Sequence, residues 1–567
     1  MKKIVLILFS LSSFSLFSQG SWTALTGPYA GFSSEIMFLL SDGTVMAKSW
    51  SSSDTTVIGV SWSKLTPDIH GSYLNGTWTD MAPMHNSRLY FASQILMDGR
   101  VFVAGGEYGT GDSLAETYDP VSDSWTMAPP LSYPLWDASS EILPDGRVLV
   151  SEFGLLNSLI FDPMSNTWSP GAATIGYADE ASWVKLPDNS ILFIDMASTN
   201  SERYIPSLNQ WIADAIVPDS LFDYNDSETG AGFLLPDGRA FFQGGKGHTA
   251  YYTPSGNINP GTWAAGPDIP LGLGIPDGGA AMLVNGNILC AVSPIPAFSG
   301  DFPSPTSFYE FNYLSNSYTQ ISVPGGGDTL SQPSYGINMI DLPDGTVLVS
   351  TWSGCFIYSP GGTMLAAGKP TVSNVLQQAC TYTVTGTKFN GISEGVAYGD
   401  DWQMATNYPI VRLTSGSNVY YARSFNWNRT GVQTGALPDT TQFTVPTGLP
   451  AGTYSLQVIA NGISSNPFSF NYAPCIPSTI IESGNLNNSV VVYPNPGNGI
   501  FNLNINQFEN LKMAGLNIFN ILGEKVYESE IHNPQSEIDL SNEPAGIYFL
   551  QLKTEHGIVS KKIIINR

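Results

Sequence analysis

A turn phrase occurs seven times along the 567-residue chain. In each copy, apolar residues lead into Asp-Gly or a close variant, and alternating apolar residues follow. Asp-Gly between alternating strands predicts a two-residue β-hairpin turn, because the twist of that turn matches the twist of the strands. The repeat therefore predicts an array of similar β units. The seven turn residues are Asp42, Asp98, Asp145, Asp188, Asp237, Asn285 and Asp344.

A second phrase follows the hairpins and consists of an aromatic residue, a polar turn and a tryptophan. It occurs at residues 118–125, 161–168 and 204–211, and it predicts a third strand, a turn and a fourth strand. Four strands in about 45 residues is the period of a propeller blade. The seventh repeat ends at residue 362 without its tryptophan. We expect residues 21–23, which contain Trp22, to supply the missing outer strand and close the ring.

These phrases resemble kelch repeats, and the predicted fold is all-β. A seven-bladed kelch β-propeller is expected over residues 20–368. After residue 368 the strands lose the blade period, which favours an immunoglobulin-like β-sandwich over residues 369–475. A polar linker follows at 476–489, and a small C-terminal β-sandwich is predicted for 490–567.

The charge balance restricts the partners. The chain has 47 acidic residues against 22 Lys and Arg, a net charge of −25. Binding to nucleic acid requires clustered basic side chains that neutralise phosphates, so no nucleic-acid partner is expected. Anionic membrane surfaces are disfavoured for the same reason. Apolar residues make up 42% of the chain, which is enough to build large cores and excludes intrinsic disorder.

The N-terminus predicts an export signal over residues 1–19. Lys2 and Lys3 precede an apolar stretch at 4–17, and small residues at 18–20 offer a cleavage site. No later run of 18 apolar residues occurs, so no membrane span is expected in the mature protein. An uncleaved anchor is the alternative.

Four cysteines are too few for a disulfide scaffold. Cys380 and Cys475 bracket the predicted sandwich and are candidates for a disulfide. Cys290 and Cys355 lie in strand-like runs and are expected to be small buried side chains.

The last 78 residues resemble the C-terminal sorting domain of type IX secretion substrates. The matching features are YPNP at 493–496, Gly499, the Leu522-Gly523 turn, AGIY at 545–548 and the basic end at 561–563. The resemblance implies the type IX secretion machinery as a partner, and a protein that is secreted or associated with the outer-membrane surface. An ordinary terminal sandwich that binds a ligand is the alternative.

Candidate site residues follow from the propeller geometry. The innermost strand of each blade opens on one face of the ring, and its start lies eight or nine residues before each hairpin turn. Carboxylates crowded there raise each other's pKa or need a cation or a sugar ligand. A hydrated polar rim without a ligand is the alternative. The predicted ligand-binding residues are Tyr90, Trp136, Asp137, Glu180, Glu228, Asp277 and Tyr335, with Asp179 beside them.

Residues 22–472 resemble the galactose oxidase and glyoxal oxidase family of copper radical enzymes. Tyr90 and Tyr335 match the two tyrosines of the family's copper site. Ser34 stands at the position of the family's cysteine, and Gly336 and Gln403 stand at the positions of its histidines. Copper(II) prefers imidazole ligands, so the resemblance implies that the copper site is not kept. We therefore expect no cofactor, with calcium bound by the carboxylates as the alternative.

Other catalytic motifs are missing, namely HExxH, the phosphate-binding GxxxxGK and the GxSxG elbow. The sequence favours an exported, non-catalytic propeller that binds glycan or protein through its mouth. Two alternatives stay open. One is an enzyme, either a divergent galactose-oxidase-like oxidoreductase or a carboxylate-based enzyme acting on polysaccharide. The other is a structural surface component without a small ligand.

Overall fold

The structure is a computed structural model, and it contains two compact units, within Met1–Pro474 and Cys475–Arg567. The predicted export signal and the predicted linker lie outside the described residues. Those residues are 20–28, 32–34, 36–48, 58–151, 156–178, 180–223, 228–297, 302–395, 406–474, 490–505, 513–521, 523–531, 533–554 and 557–567.

The first unit contains seven blades, each built on an antiparallel sheet of four strands; in blades 1–6 these four strands follow in sequence order from the axis outward. The all-β propeller prediction is confirmed. From inner to outer strand, blade 1 is Met37–Leu39, Val45–Lys48, Trp62–Thr66 and Thr77–Asp80; blade 2 is Ala92–Ile95, Val101–Ala104, Ala115–Asp119 and Ser124–Met127; blade 3 is Ser140–Ile142, Val148–Ser151, Ser158–Asp162 and Thr167–Pro170; blade 4 is Val184–Lys185, Ile191–Ile194, Ser201–Ile205 and Gln210–Ala213.

Blades 5 and 6 each carry one additional short strand. Glu394–Gly395 joins blade 5 at its innermost strand, and Leu273–Gly274 joins the second strand of blade 6. Blade 5 is Thr229–Leu234, Ala240–Gly244, Thr249–Thr253 and Thr262–Ala265; blade 6 is Ala280–Met282, Ile288–Pro294, Ser307–Asn312 and Ser317–Ile321; blade 7 is Asn338–Asp341, Val347–Thr351, Gly354–Ser359 and, from the N-terminus, Ser21–Leu25.

Short elements connect the blades. Arg88–Leu89 pairs with Tyr108–Gly109 beside blade 2. Three short 3-10 helices are found among the described residues, at Pro270–Gly272, Ser334–Gly336 and Ala366–Gly368.

The hairpin turns differ from the predicted two-residue type. In blade 3, the Gly146 amide donates to Leu143 O over 2.9 Å, and the Leu143 amide donates to Arg147 O over 2.7 Å. The loop therefore has three residues, and Gly146 alone is left-handed, with φ of 86°. Pro144 sets the φ that the second position of a type I turn needs, and Asp145 Oδ1 accepts from the Arg147 amide, so a type I turn closed by glycine is preferred.

The ring closes as the sequence predicted. Ser21–Leu25 pairs antiparallel with Gly354–Ser359, and Trp22 lies opposite Tyr358. The Trp22 indole N–H donates to Ser322 O of blade 6 over 2.6 Å. The first strand of the domain is thus hydrogen-bonded to the last blade and to the blade before it.

Apolar side chains fill the spaces between blades. Phe102 of blade 2 stacks on Phe161 of blade 3 with ring centroids 4.8 Å apart. An outer-strand tryptophan adds a hydrogen bond between blades: the Trp168 indole N–H of blade 3 donates to Pro129 O at the end of blade 2 over 3.1 Å. The repeated tryptophan of the sequence is therefore a blade-to-blade contact.

The second domain also belongs to the first unit. Its strands form one continuous antiparallel sheet, in which Asn418–Phe425 pairs with strands of both halves. The immunoglobulin-like topology stays a prediction. The strands are Thr371–Gln378, Thr381–Thr387, Ile410–Ser415, Asn418–Phe425, Asp439–Thr444, Gly452–Ala460, Ile463–Ser464 and Phe468–Tyr472.

This domain packs on the hairpin-turn face of the ring. Arg423 Nη2 donates to Asp98 O over 2.6 Å, and the Ser424 amide donates to Ser41 O over 3.1 Å. Lys185 of blade 4 is buried there and pairs with Glu394 of the second domain over 3.5 Å. The opposite face, where the innermost strands begin, is the mouth.

The second unit consists of two antiparallel sheets around one apolar core. The Gly523 amide donates to Asn520 O over 3.0 Å, so the predicted turn lies between two strands, with Leu522 outside the described residues. One sheet contains Val490–Tyr493, Ile500–Ile505 and Gln535–Asp539; the other contains Met513–Asn520, Lys525–Ser529, Gly546–Thr554 and Gly557–Ile565.

Cys380 is disulfide-bonded, and Cys475 lies outside the described residues. Cys290 and Cys355 are buried free thiols, as expected. In the described part of the chain, none of the helices has the length and apolar character needed to cross a membrane.

Candidate ligand site at the propeller mouth

A shared backbone bend marks the start of four innermost strands. Tyr90, Asp137, Glu180 and Asp277 have φ of 52°, 46°, 41° and 46°. These are the equivalent positions of blades 2, 3, 4 and 6, eight residues before each hairpin turn. Left-handed backbone is uncommon for residues other than glycine and costs about 1 kcal/mol or more at each position. The ring holds four polar side chains in this conformation at its mouth.

Three of the predicted carboxylates meet. Ligand oxygens of Glu180, Glu228 and Asp277 all lie within 4.8 Å of one another. Glu228 is only 8% exposed, and none of the described residues forms a hydrogen bond with its Oε2. Burial raises the pKa of Glu228 well above its usual value, and the charges of Glu180 and Asp277 raise it further. Of the acids predicted to crowd together at the mouth, the structure groups these three, and their role in ligand binding stays a prediction.

Backbone contacts between blades hold this cluster in place. The Asp277 amide donates to Thr229 O over 2.9 Å, which joins blade 6 to blade 5. The Glu228 amide donates to Asp223 Oδ2 over 3.2 Å. A Cβ added at Gly278 would lie 2.4 Å from Ile275 Cγ2 of the same segment, so a glycine is needed directly after Asp277. Asp277 and Glu228 are therefore positioned by hydrogen bonds of their own backbone amides.

Aromatic side chains lie on one side of the acids. Tyr108, from the loop after the second strand of blade 2, makes an edge contact with Tyr90 at 6.1 Å. A hydrogen bond to Glu107 raises the pKa of Tyr108 to about 12, with smaller contributions from burial and from the charges of Asp137 and Glu180. Trp136 precedes Asp137 and is 45% exposed.

A second aromatic group lies at blades 6 and 7. The Tyr335 ring makes edge contacts with Trp352 at 5.6 Å and with Phe302 at 5.3 Å. Trp352 is 50% exposed, and its amide donates to Gln332 Oε1 over 3.1 Å. The mouth thus has aromatic groups at blades 2–3 and at blades 6–7, with the acidic cluster at blades 4–6.

The residues at the family's copper positions do not fit copper. A Cβ at Gly336 would lie 2.5 Å from Trp352 Nε1, so the indole fills the space that a histidine would need. Ser34 is buried, and its hydroxyl donates to Ile36 O over 2.7 Å. Gln403 lies outside the described residues. Phenol ligands alone hold copper(II) weakly at neutral pH because their usual pKa is near 10.

His85 and His248, two histidines of the propeller, each pair with a carboxylate. His85 Nδ1 lies 2.8 Å from Glu116 Oε2, and Glu116 also pairs with the buried Arg88. His248 Nδ1 lies 2.9 Å from Asp268 Oδ1 on an exposed loop.

Counting from hairpin turns found the inner-strand residues and missed the loop residues. Tyr108, Phe302 and Trp352 all follow the second strand of a blade, where loop length varies. Their aromatic character was visible in the sequence, but no repeated spacing connected them to the mouth. Asp179 lies outside the described residues.

Two family matches cover parts of the chain. Residues 491–566 match the family described as a secretion system C-terminal sorting domain, and residues 94–132 match the kelch motif. The resemblance proposed for the tail is confirmed, and it indicates delivery to the cell surface or the extracellular space. No curated protein matches the chain.

Solved structures of similar architecture include a fungal alcohol oxidase of the AA5 family in complex with copper. It is 14% identical, with a TM-score of 0.48, and the match covers 81% of this chain and 100% of the oxidase. An inactive virginiamycin B lyase variant from Staphylococcus aureus in complex with quinupristin is 12% identical, with a TM-score of 0.41, and the match covers 60% of this chain and 99% of the lyase. The family matches thus show a kelch motif within the propeller and a secretion sorting domain at the C-terminal end of the chain.

Proposed function

We propose that this secreted propeller is a non-catalytic binding protein whose mouth binds an extracellular glycan. The observation that carries the proposal is the cluster of Glu180, Glu228 and Asp277 beside exposed aromatic rings. Sugar rings present apolar C–H faces that pack on aromatic side chains, and hydroxyl groups that donate to carboxylates.

Unsatisfied acceptors support a ligand with many hydroxyl groups. A buried polar atom without a partner costs about 1–3 kcal/mol, and Glu228 Oε2 is such an atom. A hydroxyl donor would offset that cost. The half-exposed rings of Trp136 and Trp352 would pack on the faces of the same ligand.

The position of the second domain supports access to the mouth. That domain packs on the hairpin-turn face, through contacts such as Arg423 with Asp98. The mouth opens on the other face of the ring. In the described part of the chain, the contacts of the second domain lie on the hairpin-turn face, and this placement suits an extended extracellular ligand at the mouth.

Copper-radical oxidation is not proposed, because the indole of Trp352 fills the space beside Gly336. A carboxylate-based enzyme acting on polysaccharide is the second candidate, and Glu228 is the observation that favours it. Its raised pKa suits a general acid, and its acidic neighbours suit a base or nucleophile.

The test is a glycan array probed with the purified secreted protein, followed by titration of any glycan bound. Trp136→Ala and Trp352→Ala should each weaken binding about 10-fold or more, which corresponds to about 1.4 kcal/mol. Met164→Ala is the matched control, because Met164 is an exposed apolar residue on an outer turn of blade 3. Equal binding by the wild type and the three variants would refute the mouth as the glycan site. If the array shows no bound glycan and an extracellular protein binds instead, the ligand is a protein.

Two further measurements separate the enzymatic alternatives. Release of new sugar ends from a bound polysaccharide, lost in Glu228→Gln, would identify a carboxylate-based enzyme. Stoichiometric copper in the secreted protein, together with peroxide formation lost in Tyr90→Phe, would identify an oxidase and overturn the non-catalytic proposal.

A further inference from the structure

We propose that Glu180, Glu228 and Asp277 form a binding site for one divalent cation of the calcium class. The inference deepens the proposed function, on which its link to glycan rests: the cation would offer coordination positions to sugar hydroxyls at the mouth. The cation site itself can be tested without any glycan.

The separation of the oxygens suits calcium. Each of the three residues supplies one carboxylate oxygen, and these oxygens lie within 4.8 Å of one another. Ca²⁺ takes oxygen ligands at about 2.3–2.6 Å, so ligands on one ion lie up to about 5 Å apart.

The environment of Glu228 is a second observation. The side chain is more than nine-tenths buried, and Oε2 has no hydrogen-bond partner among the described residues. The charged groups that act on Glu228 are Glu180, with which it also shares a side-chain hydrogen bond, Asp277 and Asp223, and all three are acidic. Buried charges in proteins are paired or coordinate metals. A bound cation would satisfy the orphaned oxygen and neutralise the like charges at the same time.

The ligands come from three consecutive blades, and each is held by backbone. Glu180 and Asp277 occupy the left-handed conformation at the start of blades 4 and 6. Glu228 precedes the innermost strand of blade 5 and is tied to Asp223 through hydrogen bonds in both directions. Such preorganisation lowers the cost of assembling a site. The positions left open on the ion would face the mouth.

The experiment is a calcium titration of the secreted protein after removal of bound metal with EDTA, by calorimetry and by thermal unfolding. The wild type should bind one calcium ion with a Kd between about 1 μM and 1 mM, and its Tm should rise with calcium. Glu228→Gln and Asp277→Asn should each weaken binding at least 10-fold. Asp328→Asn, an exposed acid on an outer loop of the same blade as Asp277, should bind like the wild type.

Folding of the variants provides an internal check. Without calcium, Glu228→Gln should melt at a higher temperature than the wild type, because the substitution removes a buried like-charge contact. With calcium, its Tm should not rise. No binding by the wild type at 10 mM calcium, or unchanged binding by a folded Glu228→Gln, would overturn the site.

Glycan binding with and without EDTA then tests the link to the proposed function. Loss of binding in EDTA, restored by calcium, would support a cation that contacts the sugar. Calcium binding with EDTA-insensitive glycan binding would keep the cation site and refute that link. If the protein binds calcium but no glycan, the cation site is supported and only the proposed glycan-binding function is refuted.

Discussion

Trp22 should control the stability of the ring closure. Its ring contacts Tyr358 at 4.6 Å and Phe308 at 5.1 Å, and its indole N–H donates to Ser322 O. Aromatic pairs contribute about 0.5–1.5 kcal/mol each, and a hydrogen bond about 1 kcal/mol. Trp22→Ala should therefore weaken the attachment of the first strand by about 3 kcal/mol.

Hydrogen exchange measures this effect locally. Opening of the closing strand exposes those amides of Gly354–Ser359 that bond to Ser21–Leu25, about every second one, because the others bond to Val347–Thr351. For the exposed amides, about 3 kcal/mol corresponds to exchange faster by about 100-fold. Thr23→Ala, an exposed residue of the same strand, should change exchange less than 3-fold. Trp168→Ala removes an equivalent outer-strand tryptophan of blade 3 and should leave Gly354–Ser359 unaffected.

Two results would refute this reasoning. Exchange at Gly354–Ser359 that rises less than 3-fold in Trp22→Ala would mean that the tryptophan does not hold the first strand. Equal acceleration in Trp168→Ala would mean that the blades unfold as one unit and that closure has no separate stability.

Three further predictions concern buried groups. Burial raises the pKa of Glu202 from 4.5 to about 7, so the folded protein binds the Glu202 proton more tightly than the unfolded protein does. The free energy of unfolding that Glu202 contributes therefore falls by about 3 kcal/mol as the pH rises from 4.5 to 7. Thermal unfolding of Glu202→Gln and the wild type over that pH range should show the variant becoming more stable relative to the wild type. A stability difference that does not change with pH would contradict the prediction. Burial raises the pKa of the Cys290 and Cys355 thiols to about 12, so iodoacetamide at pH 8 should modify neither in the native protein and both after unfolding, as counted by mass spectrometry. Gly336→Ala should displace the Trp352 indole and cost about 1–3 kcal/mol, and unchanged tryptophan fluorescence and stability would show that the contact is not tight.

Short-range chemistry made much of the architecture predictable. Asp-Gly or a close variant between alternating apolar residues predicts a tight turn between two strands, so seven copies of this phrase identify blades without tertiary information. The missing tryptophan of the seventh repeat predicted that Trp22 closes the ring. The motif order of the last residues likewise identified the sorting domain.

The predicted turn type was wrong because the prediction used only the Asp-Gly pair and not all four residues of the turn. Pro144 at the position before Asp145 favours a type I turn, and the glycine then takes the left-handed position alone. The signal was present in the sequence as the Pro-Asp-Gly triplet.

The meeting of Glu180, Glu228 and Asp277 depends on tertiary structure. These residues lie about 48 positions apart in the chain, and only closure of the ring brings their oxygens within 4.8 Å. The position of the Trp352 indole beside Gly336 likewise depends on a loop whose course no repeat specifies.

Local sequence determined the blades, their number and the C-terminal sorting domain, because turns and strands are decided by neighbouring residues. The packed ring alone decided which side chains share the mouth, because burial and charge there are set by residues distant in sequence.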